Sequence, residues 1–279
     1  MFFFVPGMTL DGFDPRDAQA FGGYSPDTSE HFYGWVQRLA RWLHVEVDGI
    51  ENLPAGRALL VANHAFGWDV AFAVAAIRAR TGRNVFVLGE HLFWRVPLIR
   101  QLACKVGTVD GTRENVDELL SADQLVLVLP GGMREAVKPG ALRYRLLWGH
   151  RHGFVRAAIH NQAPIVPVAA LGADDLFDFV GDAIARGHRF LDPIGLSGVP
   201  LPRPRHLLPH HLHVRPRKPL RYVIGEPIAP PFPASSEDDP QALRTLRWMS
   251  EGALHELIDL ELARRAHVSM GRGDDAPHA

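Results

Sequence analysis

The chain has 279 residues, 47% hydrophobic and 22% charged, an ordinary globular composition with enough length for one large domain or two small ones. Its 30 basic and 31 acidic residues leave a formal net charge of −1, without the basic excess expected of a nucleic-acid-binding protein. The single cysteine, Cys104, excludes an internal disulfide framework and fits a reducing, intracellular compartment; no run approaches the ~20 apolar residues of a membrane span.

The opening "MFFFVPGMTL" is too short, lacks a basic start and breaks at Pro6, so it does not read as a signal peptide. Residues 1–29 mix Gly, Pro, Asp and Ser with aromatics and are expected to form an extended arm. From there Phe32, Val36, Leu39 and Leu43 share one helical face, with Arg38 and Arg41 toward another. Tyr33, Trp35 and Trp42 widen the apolar surface, which suits either a helix packed on the core or an interfacial helix with its aromatics in lipid.

Beyond "HVEVDGIENLP" the pattern alternates. Apolar strand-like runs fall at 58–62, 84–89, 124–130, 164–170 and 220–227, and helical segments at 69–80, about 90–104, 113–121 and 149–161 separate the first four. Near-continuous apolar strands alternating with helices predict a single α/β domain over residues 30–268, with a largely parallel twisted sheet flanked by helices. Half of the 22 prolines lie between Pro193 and Pro233, and residues 187–219 read as a proline-rich insertion loop. Asp239 and Pro240 then offer an N-cap and first position for a closing helix, and residues 269–279 read as a disordered tail.

Chemistry concentrates at the strand-to-helix connections. In "VANHAFGWDV", His64 follows an apolar strand and Asp69 opens the next helix, with Gly67 permitting the bend. Were both on one helix, a separation of five would turn them about 140° apart; on a turn they can meet. Asp69 would then fix one imidazole nitrogen and leave the other free as a base. Such a dyad suits deprotonation of a hydroxyl that attacks an ester or thioester. No G-x-S-x-G elbow supplies a protein nucleophile, so the substrate's own hydroxyl is the expected one. "VGTVDGTRE" sets Arg113 six residues after Gly107, and "LPGGMRE" ends the most hydrophobic strand with Gly131, Gly132, Arg134 and Glu135. Paired glycines let backbone N–H groups approach a ligand or an oxyanion, and the arginines suit a phosphate or carboxylate. In an α/β sheet all these connections lie at the carboxyl ends of strands.

In order and spacing, "NHAFGWD", "GTVDGTR", "LPGGMRE" and "APIVPVAA" resemble the four blocks of the glycerolipid (lysophospholipid) acyltransferase superfamily, and "ENLP" and "YVIGEPI" are also similar to it. The resemblance covers roughly residues 45–230 and implies that family's fold. It further implies His64 as general base, Asp69 as its orienting partner, and an acceptor hydroxyl attacking an acyl thioester of CoA or acyl-carrier protein. Arg113, Gly131, Gly132, Arg134 and Glu135 would bind substrate, and Phe66 and Trp68 are candidates to line an acyl channel. The third block has Gly131 where the common bacterial form has glutamate and Met133 where it has threonine, with Glu135 after the arginine. In this it is similar to the diacylglycerol acyltransferase and phytyl ester synthase branch, which acts on more neutral acceptors. No cofactor or metal is expected. The expected partners are acyl-CoA, a lipid acceptor and a membrane surface contacted peripherally, which implies a cytoplasmic protein at the inner face of the membrane. The "FFFV" start, the helix at 30–43 and "HLFWRVPLI" (91–99) are the candidate docking segments. Two other readings stay open: a thioesterase or lipid esterase that activates water with the same base, and a lipid-binding protein without catalysis. "HLLPHHLH" (206–213) gathers imidazoles but has no carboxylate or cysteine partner, and Pro209 disrupts helical ligand spacing.

Overall fold

The computed structural model describes residues 15–65, 69–89, 94, 97–136, 138, 140–175 and 220–271. Residues 1–14 of the expected N-terminal arm, the 91–99 segment apart from residue 94 and the backbone of 97–99, the insertion loop at 187–219 with its histidines, and residues 272–279 lie outside the described residues.

The sheet has seven strands: β1 (Glu46–Asp48), β2 (Ala58–Ala62), β3 (Val85–Gly89), β4 (Thr108–Asp110), β5 (Leu125–Val128), β6 (Ile165–Leu171) and β7 (Arg221–Ile224), in the order β1-β7-β6-β2-β5-β3-β4. The five from β6 to β4 are mutually parallel; β7 pairs antiparallel with β6, and β1 parallel with β7. β2 ("ALLVA") and β6 ("IVPVAAL") are buried at every position, as strands covered on both faces must be. The two short strands β1 and β4 fall where the sequence carries no strand-length apolar run.

The α-helices of the described residues are α1 (Pro26–Leu43), α2 (Asp69–Thr81), α3 (Pro97–Lys105), α4 (Arg113–Ser121), α5 (Gly132–Ala136), α6 (Gly153–Asn161) and α7 (Pro240–Gly271). Tyr33 and Val36 of α1 and Phe72, Val74 and Ile77 of α2 belong to the core on one face of the sheet. Val116, Leu119 and Leu120 of α4, Phe154, Val155, Ala157, Ala158 and Ile159 of α6, and Ala242, Leu246, Leu254 and Ile258 of α7 belong to the core on the other. The chain winds from β2 to β3 to β4 in one direction and from β4 to β5 to β6 in the opposite one. Right-handed crossovers then put α2 and α4/α6 on opposite faces, so the helices that follow the adjacent strands β2 and β5 lie on opposite sides of the sheet.

α1 begins earlier than its apolar stripe. The Ser25 side chain accepts from the Thr28 N–H and Pro26 takes the first turn, so residues 26–29 of the expected arm are helical. Tyr33 and Val36 pack inward, while Arg38, Arg41 and Trp42, the last 45% exposed, remain at the surface. α7 continues to Gly271, past the Ser269 at which the sequence reading starts the tail. Arg221 of β7 reaches Glu46 and Asp48 of β1 and Glu261 of α7, joining that sheet edge to the closing helix. Among the described residues no helix is long and apolar enough to cross a membrane.

Candidate active site

β2, β5, β3 and β4 end on the same edge of the sheet, and the ends of β2, β5 and β4 each carry one of the motifs. His64 lies two residues beyond β2, half-buried, and α2 begins at Asp69. Phe66, Gly67 and Trp68 lie outside the described residues, as does the side chain of Asp69. Immediately before His64, the buried Asn63 uses its amide in both directions on strand β6: Nδ2 donates to the Ala170 carbonyl at 2.8 Å, and Oδ1 accepts from the Ala170 N–H at 2.7 Å. The side chain thus extends the β2–β6 pairing to the last residue before the histidine.

The His64 backbone has two buried ionic partners. Its N–H donates to Glu135 Oε1 at 2.7 Å, and its carbonyl accepts from Lys138 Nζ at 2.9 Å. Glu135 is fully buried, and its Oε2 accepts from the Leu147 N–H at 2.7 Å. Burial pushes the Glu135 carboxyl above its usual range, against the opposing pull of its backbone hydrogen bonds and the Lys138 charge. Lys138 pairs with Asp174 Oδ1 at 3.0 Å, with the two side chains 2% and 6% exposed. Asp174 Oδ2 accepts from the Tyr144 N–H at 2.7 Å. Glu135, grouped in sequence with the substrate-binding residues, therefore has a backbone N–H of the protein on each carboxylate oxygen.

The "PGG" turn has a local steric logic. A Cβ on Gly131 would come within 2.1 Å of Glu135 Oε2 and 2.4 Å of Glu135 Cβ, so the carboxylate occupies the space a side chain would need. Gly132 has φ 53°, in the left-handed region, and its N–H donates to the Leu129 carbonyl at 2.9 Å, closing the turn. That N–H, an oxyanion candidate in sequence, is engaged within the turn. Arg134 projects from α5 and is exposed.

A cavity of about 650 Å³ opens along the same edge, within the range of small-molecule sites. Leu59, Leu88, Val116, Val128, Leu129 and Phe154 give it apolar walls. Arg113, Arg151 and Arg156 also line it, each with a protein partner: Arg113 Nη2 with Glu237 at 2.8 Å, Arg156 Nε with Asp238 at 2.9 Å, and Arg151 Nη1 with the Pro130 carbonyl at 2.7 Å. Glu237 also meets His160 Nδ1 at 2.6 Å, and its carboxyl lies below the usual range, chiefly through the Arg113 hydrogen bond. Arg113 is separated from the end of β2 by three strand spacings, about 14 Å, and among the described residues the cavity is lined by the Arg113 motif and the Pro130 turn but not by His64.

The acyltransferase family model matches residues 44–171, from β1 to the end of β6. An uncharacterised protein of Mycobacterium tuberculosis is 30% identical over 267 residues, 90% of this chain and 73% of that protein. The chain belongs to the acyltransferase family. The human "DGAT1/2-independent enzyme synthesizing storage lipids" is 34% identical over 136 residues, which is 48% of this chain and 42% of that enzyme. In fold, this acyltransferase resembles the crystal structure of the 1-acyl-sn-glycerophosphate acyltransferase PlsC from Thermotoga maritima. The TM-score is 0.50 at 16% identity, over 84% of this chain and 79% of that one.

Three residues around His64 were not singled out in sequence: Asn63, Lys138 and Asp174. Asn63 adjoins the histidine, and its position after an all-apolar strand was the available signal. Lys138, in a loop, and Asp174, in a 3-10 turn after β6, lie 36 residues apart, and no periodicity links them.

Proposed function

We propose that this acyltransferase moves a fatty acyl group from an acyl thioester, acyl-CoA or acyl-carrier protein, to the hydroxyl of a glycerolipid or lipid alcohol, with His64 as general base and Asp69 as its orienting partner. The observation that carries the reading is the position of His64. It stands at the carboxyl edge of the sheet, after β2 and beside β5, whose onward helices lie on opposite faces, with both sides of its backbone held by buried charges, on the edge where an apolar cavity opens. In the proposed reaction the imidazole takes the acceptor's hydroxyl proton while the oxygen bonds to the thioester carbonyl carbon. The tetrahedral intermediate expels the thiolate as the C–S bond breaks, and the thiolate recovers the proton from the imidazolium. No protein nucleophile or metal enters these steps.

A neutral acceptor fits this site better than a phosphorylated one. Arg113 and Arg156, two cationic groups at the cavity, are already matched by Glu237 and Asp238. A phosphate would have to displace those carboxylates or approach them. The storage-lipid enzyme among the relatives points the same way. Contact with a membrane surface belongs to the same reading, because Trp42, Arg38 and Arg41 of α1 form an exposed aromatic and basic surface.

The test is release of CoA thiol from palmitoyl-CoA, with lipid products resolved by mass, against lysophosphatidate, other lysophospholipids, mono- and diacylglycerol and fatty alcohols. Acceptor-dependent release that disappears in His64→Ala is expected, with diacylglycerol or an alcohol as the best acceptor. Release by His64 without an acceptor would identify a thioesterase. No release from any donor, acyl-carrier protein included, would reject catalysis.

A further inference from the structure

An imidazole is aimed by its own χ angles and by the φ and ψ of its residue. The N–H of His64 belongs to the peptide plane before its Cα, and its carbonyl to the plane after it. Glu135 holds the first plane and Lys138 the second. We propose that Glu135 and Lys138 are positioning residues for the base, fixing φ and ψ of His64 from both sides so that its ring is presented to the acceptor in one orientation. The inference rests on the proposed role of His64 as the base.

Both holds are anchored elsewhere. Glu135 is tied through Leu147 to the segment before α6, and Lys138 through Asp174 to the end of β6. Asn63 fixes the preceding residue to β6. Hydrogen bonds to charged groups are shorter and about twice as strong as neutral ones, and a buried site does not exchange them with water. Gly131 extends the same design, since the carboxylate reaches its place only because no Cβ stands there.

A purely structural account explains this arrangement poorly. A buried ion pair is generally no more stabilising than apolar residues of similar volume, and an ionised carboxylate as buried as Glu135 costs folding energy. Here the charges converge on the two backbone groups of one residue. A misplacement of a catalytic group by about 1 Å can cost on the order of a hundredfold in rate, so rigid orientation of the base justifies that cost.

The decisive variant is Glu135→Gln, nearly isosteric, which replaces one acceptor oxygen with a donor. In the full chain labelled with 15N-histidine, the His64 amide signal is assigned by its loss in His64→Ala. The expected result is an upfield shift of that amide proton, a lower Tm because one backbone N–H is left facing the amide NH2, and a fall in kcat of about tenfold or more with KM within about twofold. The double variant Lys138→Met/Asp174→Asn removes the second hold without leaving one charge buried alone, and the same selective loss of kcat is expected. It serves also if Glu135→Gln does not fold. An unmoved His64 amide, or kcat within about twofold of the parent in a folded variant, would overturn the positioning role. If acyl transfer requires His64 but ignores both variants, the function stands and this inference falls. If the parent transfers no acyl group, the amide shift still shows whether the carboxylate holds the His64 backbone, and the assignment of that hold to catalysis is withdrawn.

Discussion

Replacing Asp174 with alanine removes a buried carboxylate from Lys138 Nζ at 3.0 Å and from the Tyr144 N–H at 2.7 Å. With the Lys138 side chain 2% exposed, water cannot readily replace the lost partner, and the ammonium keeps the His64 carbonyl without its counter-charge. Breaking a buried pair from one side costs about 3–5 kcal/mol, of which the lost acceptor at Tyr144 contributes about 1–3. Lys138→Met strands Asp174 in the same way, so a loss of about 3 kcal/mol or more is expected there too. Lys138→Met/Asp174→Ala removes both charges and is expected to be no more destabilised than either single variant, a coupling of about 3 kcal/mol. Domains are stable by about 5–15 kcal/mol, so the single variants fall low on that scale but remain measurable. Equilibrium urea unfolding at pH 7, followed by tryptophan fluorescence, reads all four corners of the cycle. Single-variant costs below about 1 kcal/mol, or costs that add within about 0.5 kcal/mol, would refute the account of a buried, interdependent pair.

Gly131→Ala is expected to destabilise by about 1–3 kcal/mol through overpacking, since the new Cβ would fall 2.1 Å from Glu135 Oε2; Tm measures the loss, and the His64 amide should move as well. Because burial raises the Glu135 carboxyl above its ordinary 4.5, the folded chain keeps this proton to higher pH than the unfolded chain. Its contribution to stability is therefore greatest at acid pH. It declines as pH rises from the unfolded value to the folded one, at up to about 1.4 kcal/mol per pH unit, and is constant above that window. Unfolding of Glu135→Gln and parent across pH should show the difference moving in the variant's favour over that window; a difference independent of pH contradicts it. Burial also pushes the Cys104 thiol up to about 11. At pH 8 only about one thiol in a thousand is then ionised, so its modification should proceed at the rate of opening; rapid labelling of the folded chain would count against this environment.

The sequence was most legible where burial on both faces left continuous apolar strands. β2, β5 and β6 are such strands, and β3 and β7, only partly buried, also coincide with apolar runs to within a few residues at their ends. β1 ("EVD") and β4 ("TVD") are too short to show a pattern, and β4 lay inside a motif read as a turn. α1 starts at a Ser25–Pro26 cap that repeats the cap-and-proline signal at Asp239–Pro240, six residues before its apolar stripe begins at Phe32, so the stripe alone places its start too late. At the site, the place of His64 followed from the strand preceding it. Lys138 in "AVKPG" reads as an exposed loop lysine, and only the tertiary approach of Asp174 makes its burial possible.

The glycine-rich block illustrates why residue type alone leaves a role undetermined. Two glycines beside an arginine suit a backbone that approaches a ligand, and the sequence supports that reading as well as any other. In the fold, the space above Gly131 is filled by Glu135 four positions later, and the Gly132 N–H closes its own turn on Leu129. Gly131 and Glu135 are therefore one structural choice: a side chain at the first would evict the carboxylate of the second. A relative with glutamate in the first position cannot seat a carboxylate there from the second by the same geometry, and must support its histidine differently. The departure at this block thus changes what stands behind the histidine, while the arginines at the cavity, paired with Glu237 and Asp238, are a separate feature of the fold.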